Sequence, residues 1–100
     1  MDIVAQRAFK LLDQPDTEIL LSIEKPLPDG ADFRCQYKIN WPERTQHGYG
    51  MGVDAVQALL SALQNASVDI NFSTYARDKK LVWLEPEKGF GLPAPGGQVE

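Results

Sequence analysis

The chain contains one cysteine and one histidine in 100 residues, and those two scarcities exclude a good deal of chemistry. With Cys35 alone, no intramolecular disulfide can form and no multi-cysteine zinc site can be assembled. With His47 alone, a metal site would need carboxylates to complete it. Glu43 lies nearby in sequence, but no pairing at ligand spacing is present, so neither a metal nor a cofactor is expected. Basic residues are also in the minority: 10 Lys and Arg stand against 14 Asp and Glu, for a net charge of −4. They are scattered along the chain, which leaves no footprint for a phosphate backbone and argues against nucleic acid as a partner. No window approaches the roughly 20 apolar residues of a membrane span. Met1 to Arg7 lacks the apolar run of a signal peptide. The expected setting is the cytoplasm, where an unpaired cysteine is at home.

What is present is ordinary for a globular protein: 43% hydrophobic and 24% charged residues. A chain of this length buries roughly 65% of its unfolded surface on folding, enough for a core without cross-links. We expect one domain over residues 1–92, followed by a flexible tail at 93–100, where Pro and Gly dominate.

The most consistent local signals lie between Gly50 and Gln64. Asp54 followed three residues later by Gln57 reads as a capping box, with the Asp carboxylate on the Gln57 N–H and the Gln amide reaching back to the cap. Val56, Leu59, Leu60, Leu63 and Ala66 then recur at helical spacing and predict one apolar stripe. Ala55, Ala58 and Ala62 add helix propensity and allow close approach of another element.

The strands read less evenly. Ile3 to Leu12 alternates through Ile3, Ala5, Phe9 and Leu11, broken by Arg7, and predicts a strand. Asp13 to Asp16 predicts a turn around Pro15. Glu18 to Glu24 predicts a second strand with Ile19, Leu21 and Ile23 on one face. Pro26, Pro28 and Gly30 should stop the ladder. Asp32 to Ile39 is the clearest strand: Phe33, Cys35, Tyr37 and Ile39 alternate with Arg34, Gln36 and Lys38, apolar on one side and solvated on the other. Asn40 to Gly52 reads as a long irregular connection. Asp69 to Tyr75 fits a strand through Ile70 and Phe72, or a continuation of the helix, since Ile70 also extends the Leu59/Leu63/Ala66 stripe. Leu81 to Leu84 predicts a returning strand. The fold class is therefore α+β: an antiparallel sheet of about five strands in the order β-β-β-α-β-β, with one main helix packed on one face.

Several of these segments resemble, in order, a family of small bacterial domains of unknown function. They are Cys35-Gln36-Tyr37-Lys38-Ile39, the run Gly50 to Leu59 with its Gly-x-Asp-x-x-Gln-Ala-Leu pattern, Leu81-Val82-Trp83, and Gly91-Leu92-Pro93. The likeness covers the chain from about Glu18 onward. It implies a bacterial context and no catalytic residue. Relatives often have Pro after the Cys where this chain has Gln36.

Candidate chemistry concentrates in the 41–54 stretch. Gly48 to Gly52 precedes a helix N-terminus whose N–H groups could cradle an anion, with Arg44 and His47 as helpers. Asp54 competes for the same N–H groups, and no phosphate-loop or dinucleotide fingerprint is present. A Cys35–His47 nucleophile pair is opposed by the position of Cys35 on the apolar strand face, where burial makes a thiol inert. Trp41 and Tyr49 are aromatics outside the sheet pattern, suited either to anchoring an interface or to sealing the sheet edge. No nucleophile–base or acid–base pair can be named, so catalysis is not the expected role. The sequence points to a binding or accessory module acting through protein–protein contacts or self-association, with Trp41, Arg44, His47 and Tyr49 as binding residues. The alternative is a small-molecule or anion-binding domain, or an enzyme, using residues 41–54.

Overall fold

The computed structural model describes residues 2–86 and 89–93. Its first strand, β1 (Ile3–Leu11), pairs antiparallel with β2 (Gln14–Glu24). The predicted turn at Asp13–Asp16 is displaced: the chain reverses at Leu12 and Asp13, because Leu11 pairs with Gln14. The next pair along is Lys10 with Glu18, so Pro15, Asp16 and Thr17 bulge out of β2. A bulge is where a proline, having no N–H for the ladder, can be accommodated. Phe9, Leu11, Ile19, Leu21 and Ile23 are buried on one face.

The ladder breaks at Lys25 and Pro26 but resumes as β3 (Leu27–Asp29), which pairs with β4 (Asp32–Asn40) across a turn where Gly30 has φ +63°. Pro28 is accommodated because β3 is an edge strand. As its alternation predicts, β4 buries Cys35, Tyr37 and Ile39. One edge of β4 is shared by β2 and β3, and the other carries β5 (Thr45–Gly52).

The existence of β5 corrects the expectation of an irregular 40–52 connection, which shrinks to residues 41–44. Its alternation is carried by glycine, and hydropathy is blind to that. Gly48, Gly50 and Gly52 face the helix side, and His47, Tyr49 and Met51 face away. A Cβ on Gly50 would lie 2.2 Å from the backbone nitrogen of Ala62, and one on Gly52 would lie 2.3 Å from that of Ala58. Those glycines let α1 (Ala55–Asn71) lie directly on the strand backbone.

That close approach also decides which helix face is buried. Ala58, Ala62, Ala66 and Ile70 are fully buried, whereas Val56 is 65% and Leu60 51% exposed. The predicted Val56/Leu60 stripe is thus rotated, because bulky side chains would hold the helix off the glycines. The cap is present with one change. Asp54 accepts from the Gln57 N–H at 2.8 Å, but the Gln57 side chain accepts from Val53 N–H at 2.7 Å rather than from the cap residue itself.

Of the two readings of 69–75, the structure takes the helical one. Ile70 completes the buried alanine row, α1 ends at Asn71, and a single further turn, α2 (Thr74–Arg77), is capped by Ser73. The predicted strand at 81–84 is cut to β6 (Leu81–Val82), paired with Lys10 and Leu11 of β1. The observed order is β-β-β-β-β-α-α-β: a six-stranded antiparallel sheet with its core between the sheet and α1. The other sheet face has no covering element among the described residues. Of the predicted tail, only Pro93 lies within the described residues.

Candidate functional site

Where β4 ends, Trp41 turns under the helix. It is 6% exposed, and its indole N–H donates to the Gln46 side chain at 2.8 Å. Its ring stacks on Tyr75 of α2, with centroids 5.3 Å apart and planes 16° from parallel. The Tyr75 hydroxyl in turn donates to the Glu43 carboxylate. The stacked pair therefore bolts the 41–44 connection to the C-terminal end of α1 and to α2. It also forms the floor of an open cleft of about 260 Å³.

The other walls come from Glu43 and Arg44 on one side and from Val68, Asp69, Phe72 and Arg77 on the other. Phe72 terminates α1 and is 62% exposed, with its ring available to a ligand. The charges are unequal in availability. The Tyr75 hydrogen bond, followed by the charge of Arg44 among the smaller causes, holds Glu43 below the usual carboxylate range. Asp69 accepts the hydroxyl of Tyr37 at 2.5 Å. Burial first, and then this bond to Asp69, pushes the Tyr37 phenol well above its ordinary value, so it remains a donor at neutral pH. Among the described residues, Arg77 uses only Nε, in a long 3.4 Å contact to the Phe72 carbonyl. Among the described residues, Arg44 makes no hydrogen bond or ion pair. Both carboxylates of the cleft are thus engaged by phenols, while both guanidiniums keep donors for an incoming acceptor.

The four residues singled out from sequence separate into two pairs. Trp41 and Arg44 belong to this cleft. His47 and Tyr49 lie on the uncovered sheet face, His47 opposite Lys38 in register and Tyr49 with the Arg34 guanidinium 4.5 Å from its ring centroid. Sequence reasoning missed Phe72, Tyr75 and Arg77. Ser73 was the available signal: a serine just after an apolar helical row is a typical cap for a second turn.

A thiol–imidazole pair has no geometric basis, because Cys35 faces the helix and His47 faces the opposite side. Cys35 is fully buried, its thiol lies 3.3 Å from the Glu24 carbonyl, and burial followed by the nearby Glu24 charge pushes its pKa up. Among the described residues, no group of three His, Cys, Asp or Glu side chains is placed to hold a metal ion. Among the described residues, no helix is long and apolar enough to cross a membrane.

A second cluster fastens the C-terminal segment. The Arg7 guanidinium sits 4.0 Å over the Trp83 ring and donates to the carbonyls of Phe90 and Gly91, each at 2.8 Å. Phe90 meets Phe9 edge-on at 5.7 Å, and Leu92 is buried. This explains why a charged residue interrupts the apolar alternation of β1: it ties residues 89–93 along the sheet.

Together these features define a class: an α+β domain in which one antiparallel sheet carries a long helix, with a cleft at that helix's C-terminal end. The chain belongs to the family described as Domain of unknown function (DUF6968), whose model matches residues 5–94. No curated protein and no solved structure matches the chain.

Proposed function

We propose that this domain is a non-catalytic binding module of the bacterial cytoplasm, acting through protein–protein contacts. Its cleft would receive a partner segment that presents a carboxylate beside an apolar side chain. One observation carries this reading. Glu43 and Asp69 each accept from a phenol, Tyr75 and Tyr37, whereas Arg44 and Arg77 have N–H groups with no partner among the described residues, beside the exposed Phe72 ring. Guanidinium forks select planar carboxylates, and an adjacent aromatic face adds apolar contact area. The buried, unpaired Cys35 thiol is compatible with a reducing compartment.

The alternative, a small-molecule or anion-binding domain built on residues 41–54, has less support. The Asp54 carboxylate already accepts the Gln57 N–H at the start of α1 and brings a negative charge there, and the Gln57 side chain takes the Val53 N–H just before it. The cleft, at about 260 Å³, is also smaller than the roughly 300–1,000 Å³ usual for small-ligand pockets.

The test is titration with a short peptide carrying Asp or Glu next to Phe, alongside its Asn/Gln counterpart. Trp41 reports through its indole N–H resonance, with Trp83 as internal control. The acidic peptide should move the Trp41 signal, and Arg44→Ala and Arg77→Ala should each weaken binding about tenfold, as expected for losing a charged hydrogen bond. Equal binding of both peptides, or no effect of either substitution, would remove the cleft from consideration.

A further inference from the structure

Each wall of the cleft carries one charge of each sign. Glu43 and Arg44 stand on the side of the 41–44 connection, and Asp69 and Arg77 on the side of the helices. The cleft is thus neutral overall yet lined by four charges, in a chain whose net charge is −4.

The phenol bonds leave both carboxylates charged and open. Tyr37 is buried, takes no part in the cleft lining and reaches Asp69 from the core side, at Oδ2 alone. Tyr75 meets Glu43 at Oε2 alone. An ionised carboxylate has two oxygens and about four acceptor sites, so one phenol leaves most of that capacity unused. The bond from Tyr75 also favours the ionised form of Glu43, holding it below the usual carboxylate range. Among the described residues, neither carboxylate forms an ion pair; those that form join Arg34 to Asp29 and Lys80 to Asp13. The Arg44 charge is near enough to act on Glu43 and on the Tyr75 phenol without closing a contact pair with either.

A ligand bringing only a carboxylate would satisfy the guanidiniums while adding a third negative charge beside Glu43 and Asp69. Like charges brought together in this way cost affinity. A ligand that also brings a cation meets both signs and adds no net charge to an acidic chain. We infer that the segment received by the cleft carries a Lys or Arg side chain as well as the carboxylate, one on either side of its apolar residue. This rests on the cleft reading above and deepens it. The carboxylate goes to Arg44 and Arg77, the cation to the open oxygens of Glu43 and Asp69, and the apolar side chain lies against Phe72. Such a lining selects a net-neutral segment and rejects one that bears two acids.

The test uses the whole chain and short peptides acetylated and amidated at their ends, so that only side chains carry charge. Gly-Glu-Phe-Lys-Gly and its reversed order, Gly-Lys-Phe-Glu-Gly, are compared with Gly-Glu-Phe-Gln-Gly and Gly-Glu-Phe-Glu-Gly through the Trp41 indole N–H resonance. The tighter Lys peptide should bind about threefold to fivefold more strongly than the Gln peptide, the gain of one solvent-exposed ion pair. The two-acid peptide should bind more weakly than the Gln peptide. Glu43→Gln and Asp69→Asn keep an oxygen to accept each phenol while removing the charge. Each should reduce the Lys preference, and the double variant should abolish it. Asp32→Asn, at the far end of β4 from the cleft, removes one charge at a distance and should leave the preference intact.

A Lys peptide no tighter than the Gln peptide would overturn the inference and leave the carboxylate reading of the cleft standing. A Lys preference that survives the double substitution would overturn it too, because bulk attraction to a negatively charged chain would then account for the gain. If no Glu peptide moves the Trp41 signal, the cleft reading falls and the inference with it. Free phenylalanine, which holds both charges and a ring in one small molecule, is the last comparison. Binding of it in place of the capped peptides would overturn both by assigning the cleft to an amino acid.

Discussion

Gly50 and Ala62 meet backbone to backbone: a Cβ added to Gly50 would lie 2.2 Å from the Ala62 nitrogen and 2.5 Å from the Ser61 carbonyl carbon. Neither neighbour is the flexible end of a side chain, so α1 as a whole would have to lift. Gly50→Ala should therefore cost about 3 kcal/mol or more, at or beyond the upper end of ordinary overpacking. Gly30→Ala is the comparison. It has open space around it but φ +63°, so only the left-handed backbone penalty of about 1–2 kcal/mol applies. Urea denaturation of both variants distinguishes the two costs. An equal, small loss at both positions would mean that α1 does not rest on β5 as described.

Tyr37 makes stability fall at alkaline pH. Its phenol is protonated in the fold, buried and donating to Asp69, so its folded pKa lies above the ordinary value of 10. Above pH 10 the unfolded chain releases this proton while the folded one retains it, so unfolding is favoured progressively as pH rises. Below pH 10 the contribution is fully present. Thermal melts of the wild type should drop between about pH 9.5 and 11 more steeply than those of Tyr37→Phe, which has no proton to release there. Parallel curves for the two proteins would show that Tyr37 does not hold its proton more tightly in the fold.

Arg7 is expected to govern the C-terminal segment. Arg7→Lys keeps the charge but offers a compact ammonium in place of the planar guanidinium, whose Nη1 donates to both carbonyls while its plane lies over the Trp83 ring. Both Arg7→Lys and Arg7→Ala should shift Trp83 fluorescence and raise the rate of proteolytic cleavage after residue 85. The Ala variant should lose about 2–3 kcal/mol, from hydrogen bonds by a charged donor and the cation–π contact. Unchanged proteolysis in both would assign the anchoring to Phe90 and Leu92 instead.

The sequence by itself determined those features whose cause is local. Strict alternation in β4 placed Cys35, Tyr37 and Ile39 inside, because a strand's side chains change face at every residue whatever surrounds it. The Asp54–Gln57 spacing located the start of α1, because a cap is a contact between near neighbours. The α+β class followed from the two periodicities together. What the tertiary structure decided were the features with non-local causes. β5 was illegible because its inward face is glycine, whose contribution is the absence of atoms, and only the arrival of Ala58 and Ala62 overhead gives that absence a meaning. The buried face of α1 turned from Val56 and Leu60 to the alanines for the same reason, since the depth of helix–sheet contact is a property of both partners. The pairing of Trp41 with Tyr75 joins residues 34 positions apart in sequence, and the separation of Trp41 and Arg44 from His47 and Tyr49 depends on a sheet passing between them. No pattern within a single segment records which side of that sheet another segment will occupy, because that choice is made by the packing free energy of the whole fold.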